Sequence, residues 1–208
     1  MKIHDITQEV FSCRVFPGDT GPAYKQASAI SAGAVCNLSV IEMGVHNGTH
    51  LDAPWHFLDD GKKMDEIDLE RCIGPALVVA WHGEITAAAI RQICRNNPDN
   101  PACQRLLFKG DCSLSLDGAK ALTKYQVKLI GVESQSVAPS EAPVPVHLEL
   151  LANEIMILEG LVLCDVPTKD TIGTEAGELA VGEYFLLALP LKLGGRDGSP
   201  CRAVLLEN

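Results

Sequence analysis

Three of the chain's six histidines, His46, His50 and His56, fall within one 11-residue window that also holds Asp52. Six histidines spread evenly over 208 residues would place about 0.3 in such a window, so the clustering is a signal. The window reads H-N-G-T-H-L-D-A-P-W-H. Imidazoles and a carboxylate are the donors that first-row divalent metals such as Zn²⁺ or Mn²⁺ accept. The spacing from His46 to His50 and on to Asp52 lets an extended or turning segment converge all three on one point. Gly48 lets the backbone bend closely around an ion, and Pro54 stiffens the stretch that presents His56. A bound metal lowers the pKa of its water from 15.7 towards ~7, which makes hydroxide available at neutral pH. A histidine left off the metal, with an ordinary pKa of ~6.5, can take a proton from the nucleophile and return it to a leaving nitrogen. Trp55 and Phe57 flank His56 and either wall a substrate pocket or pack the motif. His4 and His82 stand alone and read as structural.

Other chemistries fare worse. The stretch Gly194-Gly195-Arg196-Asp197-Gly198 is glycine-rich but lacks the Lys-Ser/Thr of a phosphate loop, so it reads as a flexible loop, near the substrate at most. Ser134 and Ser136 lack a G-x-S-x-G elbow, which argues against a serine hydrolase. The eight cysteines form no C-x-x-C pair and read as reduced thiols. Cys94, Cys103 and Cys112, nine residues apart, leave a zinc knuckle or local disulfide as the alternative.

The elements that must position the window alternate between strand and helix. Residues 3–10 read as an entry strand and turn, 16–22 as a loop, and 34–43 as a strand. Residues 74–81 (GPALVVAW) read as a buried strand. Thr86 caps a helix over 87–95. A strand at 106–109, a helix at 117–125 and a strand at 127–132 follow. A short helix at 146–152 comes after Pro143 and Pro145, and strands at 155–158, 161–164, 184–189 and 202–206 complete the chain. This order implies an α/β fold with a mixed sheet and flanking helices. No repeat or linker marks a boundary, so residues 1–208 read as one domain.

Apolar residues make up 47% of the chain and charged residues 21%, an ordinary globular balance. A formal charge of -10 disfavours nucleic acid and anionic membranes as partners. No apolar run approaches the ~20 residues that cross a bilayer, and no secretory signal is visible at the N-terminus. The expected setting is cytoplasmic and the expected partner a small-molecule substrate.

The motif H-x-G-T-H-x-D-x-P-x-H resembles the signature of the metal-dependent cyclase family, whose branches include the bacterial kynurenine formamidases and the isatin hydrolases. The resemblance extends along most of the chain. Pro17-Gly18-Asp19-Thr20 is similar to the family's P-G-D-T loop, and residues 131–137 to its G-x-D-x-x-S-V segment. His147 with Leu150-Leu151, and Glu159-Gly160-Leu161, resemble its H-x-x-L-L and E-G-L stretches. Two departures are Glu133 where the family usually has Asp, and Lys109-Gly110 where many relatives have Arg-Thr. The resemblance implies a swivelling β/β/α-type domain that assembles as a homodimer or homotetramer. It implies His46, His50 and Asp52 on one metal, with Asp52 bridging to a second held by His147 and Glu159. His56 would stay off the metal as general acid/base. Zn²⁺ is the first expectation for the metal and Mn²⁺ the alternative. The implied activity is hydrolysis of an amide C–N bond, with N-formylkynurenine the first substrate and tryptophan catabolism the setting. A cyclic amide or lactone, as for an isatin or dienelactone hydrolase, and a non-catalytic metal- or ligand-binding module remain open.

Overall fold

The computed structural model describes residues 1–164 and 179–207. The strands and helices run β1 (Lys2–Asp5), β2 (Ala23–Ser28), β3 (Leu38–Glu42), β4 (His50–Asp52), β5 (Ile73–Ala80) and β6 (Gly83–Ile85). Then come α1 (Ala87–Asn96), β7 (Arg105–Lys109), β8 (Cys112–Leu114), α2 (Leu116–Lys124), β9 (Leu129–Val132), α3 (Pro143–Ala152), β10 (Met156–Glu159), β11 (Gly182–Leu187), β12 (Gly198–Pro200) and β13 (Val204–Glu207). Nine strands form one mixed sheet in the order β1-β13-β11-β5-β7-β9-β10-β4-β12. Its centre, β5-β7-β9-β10, is parallel, as helical crossovers require, and the flanking pairs are antiparallel.

Alternation along the central strands feeds two cores. Leu106 and Phe108 join Ile90, Leu122 and Leu150 of the three helices on one face. Leu107, between them, turns to the other face and meets Leu51, Val78, Leu158 and Leu205. The α/β reading of the sequence therefore holds for this mixed α/β domain. Thr86 caps α1 by accepting from the Ala89 amide, and Ser115 caps α2 by accepting from that of Gly118.

Several expectations need correction. Helix α3 starts at Pro143, not Val146, because proline is tolerated in a first turn whose amides have no partner. No strand forms at 161–164. Only Leu161 bridges to Thr7, while the Leu163 and Cys164 amides donate to the Glu133 carboxylate instead of to a ladder. The strand expected at 34–43 shortens to β3 and, among the described residues, pairs only with β2, in a two-stranded ribbon outside the main sheet. Among the described residues, no helix is long and apolar enough to cross a membrane.

Candidate metal centre and its cavity

Strand β4 is three residues long and explains the H-L-D spacing. Side chains alternate along a strand, so His50 and Asp52 share one face while Leu51 enters the core on the other. Both edges of β4 are paired. On one side β10 sets Glu159 directly opposite His50. On the other, β12 sets Gly198 opposite Asp52. Register alone thus brings a carboxylate from residue 159 to the histidine motif. Before β4 the chain turns at Gly48, whose φ of 68° is left-handed and favours glycine. After it, Pro54 opens a single 3₁₀ turn, Pro54–His56, that carries His56 back to the site.

The side chains converge. Asp52 Oδ1 lies 3.0 Å from His46 Nδ1 and 3.5 Å from His50 Nε2. Its other oxygen, Oδ2, lies 3.9 Å from His147 Nε2. Glu159 reaches His50 Nε2 with Oε2 at 3.3 Å and His147 Nε2 with Oε1 at 3.6 Å. His50, Asp52, His147 and Glu159 are each less than 5% exposed. His50 Nδ1 donates to the Gly48 carbonyl at 2.9 Å, and His147 Nδ1 donates to the Pro143 carbonyl at 2.8 Å. A carbonyl can only accept, so each Nδ1 carries a hydrogen, and Nε2, facing the carboxylates, is the nitrogen left for a cation, proton or metal. That is how ligating imidazoles are usually held. Asp52 Oδ2 is buried and has no hydrogen-bond partner among the described residues. A buried carboxylate oxygen without a partner is costly, and a cation at that point supplies one.

The sequence model of the Cyclase family, described as "Putative cyclase", matches residues 4–139. The chain belongs to the cyclase family. A kynurenine formamidase from Erythrobacter litoralis (strain HTCC2594) is 33% identical over 223 residues, which covers 99% of this chain and 94% of that protein. Cyclase-like protein 2 of Oryza sativa subsp. japonica is 34% identical across 90% of this chain and 71% of its own. A solved structure described as a potential metal-dependent hydrolase with cyclase activity superposes with a TM-score of 0.75 at 27% identity, covering 98% of this chain and 96% of that one. An isatin hydrolase bound to thioisatinate shares the fold, with a TM-score of 0.80 at 19% identity, 99% of this chain and 92% of that one.

In this cyclase-family chain the donor set is that of a divalent metal centre: His50, Asp52 and Glu159 form one potential group, and His46, Asp52 and His56 another. Burial opposes charge on His46, but Asp52 and Asp197 on either side outweigh it and raise the imidazole to about 9. Burial also opposes charge on His50 and His147, and the nearby carboxylates again prevail, raising both. His56 differs. Burial, with His46 and His147 nearby, lowers it against the pull of Asp52 and Asp197. Of the four clustered histidines it alone is shifted downward.

Sequence reasoning missed Asp197. Its Oδ2 lies 2.8 Å from His46 Nε2 and 3.3 Å from His56 Nδ1, so it joins the two rings. The only signal was the glycine-rich run around it. Gly198 is small because it must be: a Cβ there would sit 2.6 Å from the His46 ring. Above the cluster opens a cavity of about 450 Å³, within the range of small-molecule sites. Phe57 lines it, stacked on His147 at 4.5 Å between centroids. Trp55 does not line it. The Trp55 ring carries the Lys63 ammonium 5.0 Å above its centroid. His4 lies outside the cluster and contacts Glu207 at 2.7 Å. Among the described residues no cysteine forms a disulfide or joins a metal-binding group.

Proposed function

We propose that the protein hydrolyses the carbon–nitrogen bond of a small N-formyl arylamine, N-formylkynurenine first, to formate and the free amine. It is a metal-dependent amide hydrolase of the formamidase type. The observation that carries this reading is Asp52, whose two oxygens face different histidines and one of which is buried without a partner. The relatives named kynurenine formamidase, which span nearly the whole chain, support the substrate.

Two divalent ions would divide the donors of the cluster. His46, His50 and Asp52 would hold one, and Asp52, His147 and Glu159 the other. Three imidazoles among five donors favour Zn²⁺ over Mn²⁺. When bound, such ions make a nucleophile available from water at neutral pH and polarise the substrate carbonyl. The protein supplies the rest. His56, shifted downward and with Nδ1 facing Asp197, would keep Nε2 able to accept the proton from attacking water. As the C–O bond forms and the C–N bond breaks, that proton passes from Nε2 to the departing nitrogen, which leaves as a neutral amine. Phe57 supplies an apolar wall for the aryl ring. Assembly as a homodimer or homotetramer is supported by the β2–β3 ribbon, where Tyr24, Leu38, Val40 and Ile41 are all more than half exposed. A two-stranded ribbon is marginal without cover.

The test is a hydrolysis screen of the metal-loaded protein against N-formylkynurenine, isatin and unsaturated lactones, before and after chelation. Turnover of N-formylkynurenine that chelation abolishes and Zn²⁺ or Mn²⁺ restores supports the proposal. Preference for isatin or a lactone moves the substrate class, and full activity without metal refutes the mechanism.

A further inference from the structure

Asp52 and Glu159 stand on the paired strands β4 and β10, but the third carboxylate of the cluster, Asp197, comes from the loop before β12. Backbone groups pin that loop. The Ala53 amide donates to the Asp197 carbonyl at 2.9 Å and the Met64 amide to the Arg196 carbonyl at 2.8 Å. The Gly195 amide donates to Asp65 Oδ1 at 2.8 Å, and Gly198 is paired opposite Asp52. The Asp197 carboxylate is therefore delivered to a fixed point. There a single oxygen, Oδ2, serves two rings: it lies 2.8 Å from His46 Nε2 and 3.3 Å from His56 Nδ1. The rings themselves lie 4.1 Å apart between centroids.

The ring of His46 has a carboxylate at each nitrogen, Asp52 Oδ1 at Nδ1 and Asp197 Oδ2 at Nε2. An imidazole that gives one nitrogen to an ion keeps its hydrogen on the other. Nδ1 is on the side of the remaining donors, because Asp52 Oδ1 also faces His50 Nε2 at 3.5 Å. Nε2 turns to Asp197 instead. A carboxylate ionised at neutral pH only accepts, so Asp197 holds the hydrogen on Nε2 and frees Nδ1 for the ion. His50 and His147 are held the opposite way, with Nδ1 on a backbone carbonyl and Nε2 toward the cluster. For His56 the same oxygen holds the hydrogen on Nδ1 and leaves Nε2 for proton exchange. That 3.3 Å contact is long for a hydrogen bond, and such contacts commonly tighten when substrate binds. We infer that Asp197 is a positioning residue shared by the metal centre and the acid/base: through one oxygen it makes His46 a ligand by Nδ1 and His56 an acid/base by Nε2. The inference rests on the ligand and acid/base roles proposed above and adds what fixes both.

The experiment uses Asp197→Asn, which keeps the size of the side chain but can turn an amide N–H to either ring, so that neither hydrogen is fixed. Its Zn²⁺ affinity by chelator competition should fall about 10–100-fold, the usual cost of losing a ligand's carboxylate support. At saturating Zn²⁺ its kcat on N-formylkynurenine should fall by a similar factor with KM unchanged, because the proton transfer is made only in the transition state. In a His56→Ala background the affinity loss should recur in full while the kcat loss disappears, since the two effects run through different rings. Nitrogen NMR of the Zn²⁺-loaded wild type reads the arrangement directly: His46 should be metal-bound through Nδ1, and neutral His56 should carry its hydrogen on Nδ1. An Asp197→Asn variant that binds Zn²⁺ as tightly as wild type, a kcat loss that persists without His56, or His46 bound through Nε2 overturns the inference. So does the loss of a whole ion per chain at saturation, which would make Asp197 a ligand. If N-formylkynurenine is not turned over, the formamidase reading fails, and Zn²⁺ affinity together with ring protonation decides the role of Asp197.

Discussion

Replacing Gly198 by alanine tests the site through a single methyl group. The new Cβ would lie 2.6 Å from His46 Cε1 and 3.1 Å from both ring nitrogens. Ordinary contact begins near 3.4 Å, so the ring or the strand must retreat by about 0.8 Å. The ring is not free to swing, because Nδ1 faces Asp52 at 3.0 Å and Nε2 faces Asp197 at 2.8 Å. The strand is not free either, because β12 is paired along β4 opposite His50 and Asp52. Overpacking of this kind costs about 1–3 kcal/mol. In a chain of this size each kcal/mol lowers Tm by about 2–4 °C. Metal sites tolerate roughly 0.2 Å in ligand distance, so His46 would leave its productive position. The expected result is a metal affinity lower by about 10–100-fold, the range seen when a ligand's support is disturbed. Chelator competition measures the affinity, and melting with and without metal measures the stability. Gly194→Ala is the control, since its Cβ would meet only Asp65 Oδ2, at an easy 3.7 Å. If Gly198→Ala binds metal as tightly as Gly194→Ala, His46 is not a ligand and the reasoning fails.

Three further outcomes are expected. His56→Ala should keep its metal while losing about 10²–10⁴ in rate, the worth of a positioned acid/base; loss of metal would make His56 a ligand, which its grouping with His46 and Asp52 allows. Metal per chain by elemental analysis should be near two for wild type at saturation and near one for His147→Ala and Glu159→Gln, since each removes a donor beside Asp52 Oδ2; a wild-type value of one, unchanged by either substitution, would mean a mononuclear site. Metal binding at pH 7 should release protons, because His46, raised to about 9, is protonated in the metal-free protein while a ligating imidazole is neutral; the sign requires affinity to climb with pH until about 9, and calorimetry in buffers of different ionisation enthalpy that found no proton released would contradict it.

The chemistry of the site was legible because donors with a spacing of one and three sit in a single window. The rest depended on pairings no local pattern encodes. His147 and Glu159 came from resemblance, and register then placed Glu159 opposite His50. Asp197 was hidden because a loop residue between glycines carries no periodicity. Strands β4 and β12 are three residues each, too short for an alternation pattern to stand out. The expected strand at 161–164 failed because a side chain, Glu133, competes for its amides. Helix α1 was clear, since Thr86 announces it and its apolar residues recur at helical spacing; α2, read over 117–125, forms at Leu116–Lys124.

Strand β4 has consequences for the order in which the molecule is made. Its two neighbours, β10 and β12, are synthesised long after it, and His46 meets Asp197 across 151 positions of sequence. At about 5–20 residues per second on the ribosome, the histidine window waits roughly 7–30 s for its last partner. Throughout that interval it is an open chelator with three imidazoles and a carboxylate. Any ion caught early has an incomplete shell and can leave; the closing of β12 over Gly198 completes the enclosure. If these residues hold the metal, its selection would be a late event in biogenesis, set by which ion is abundant when the last strands dock.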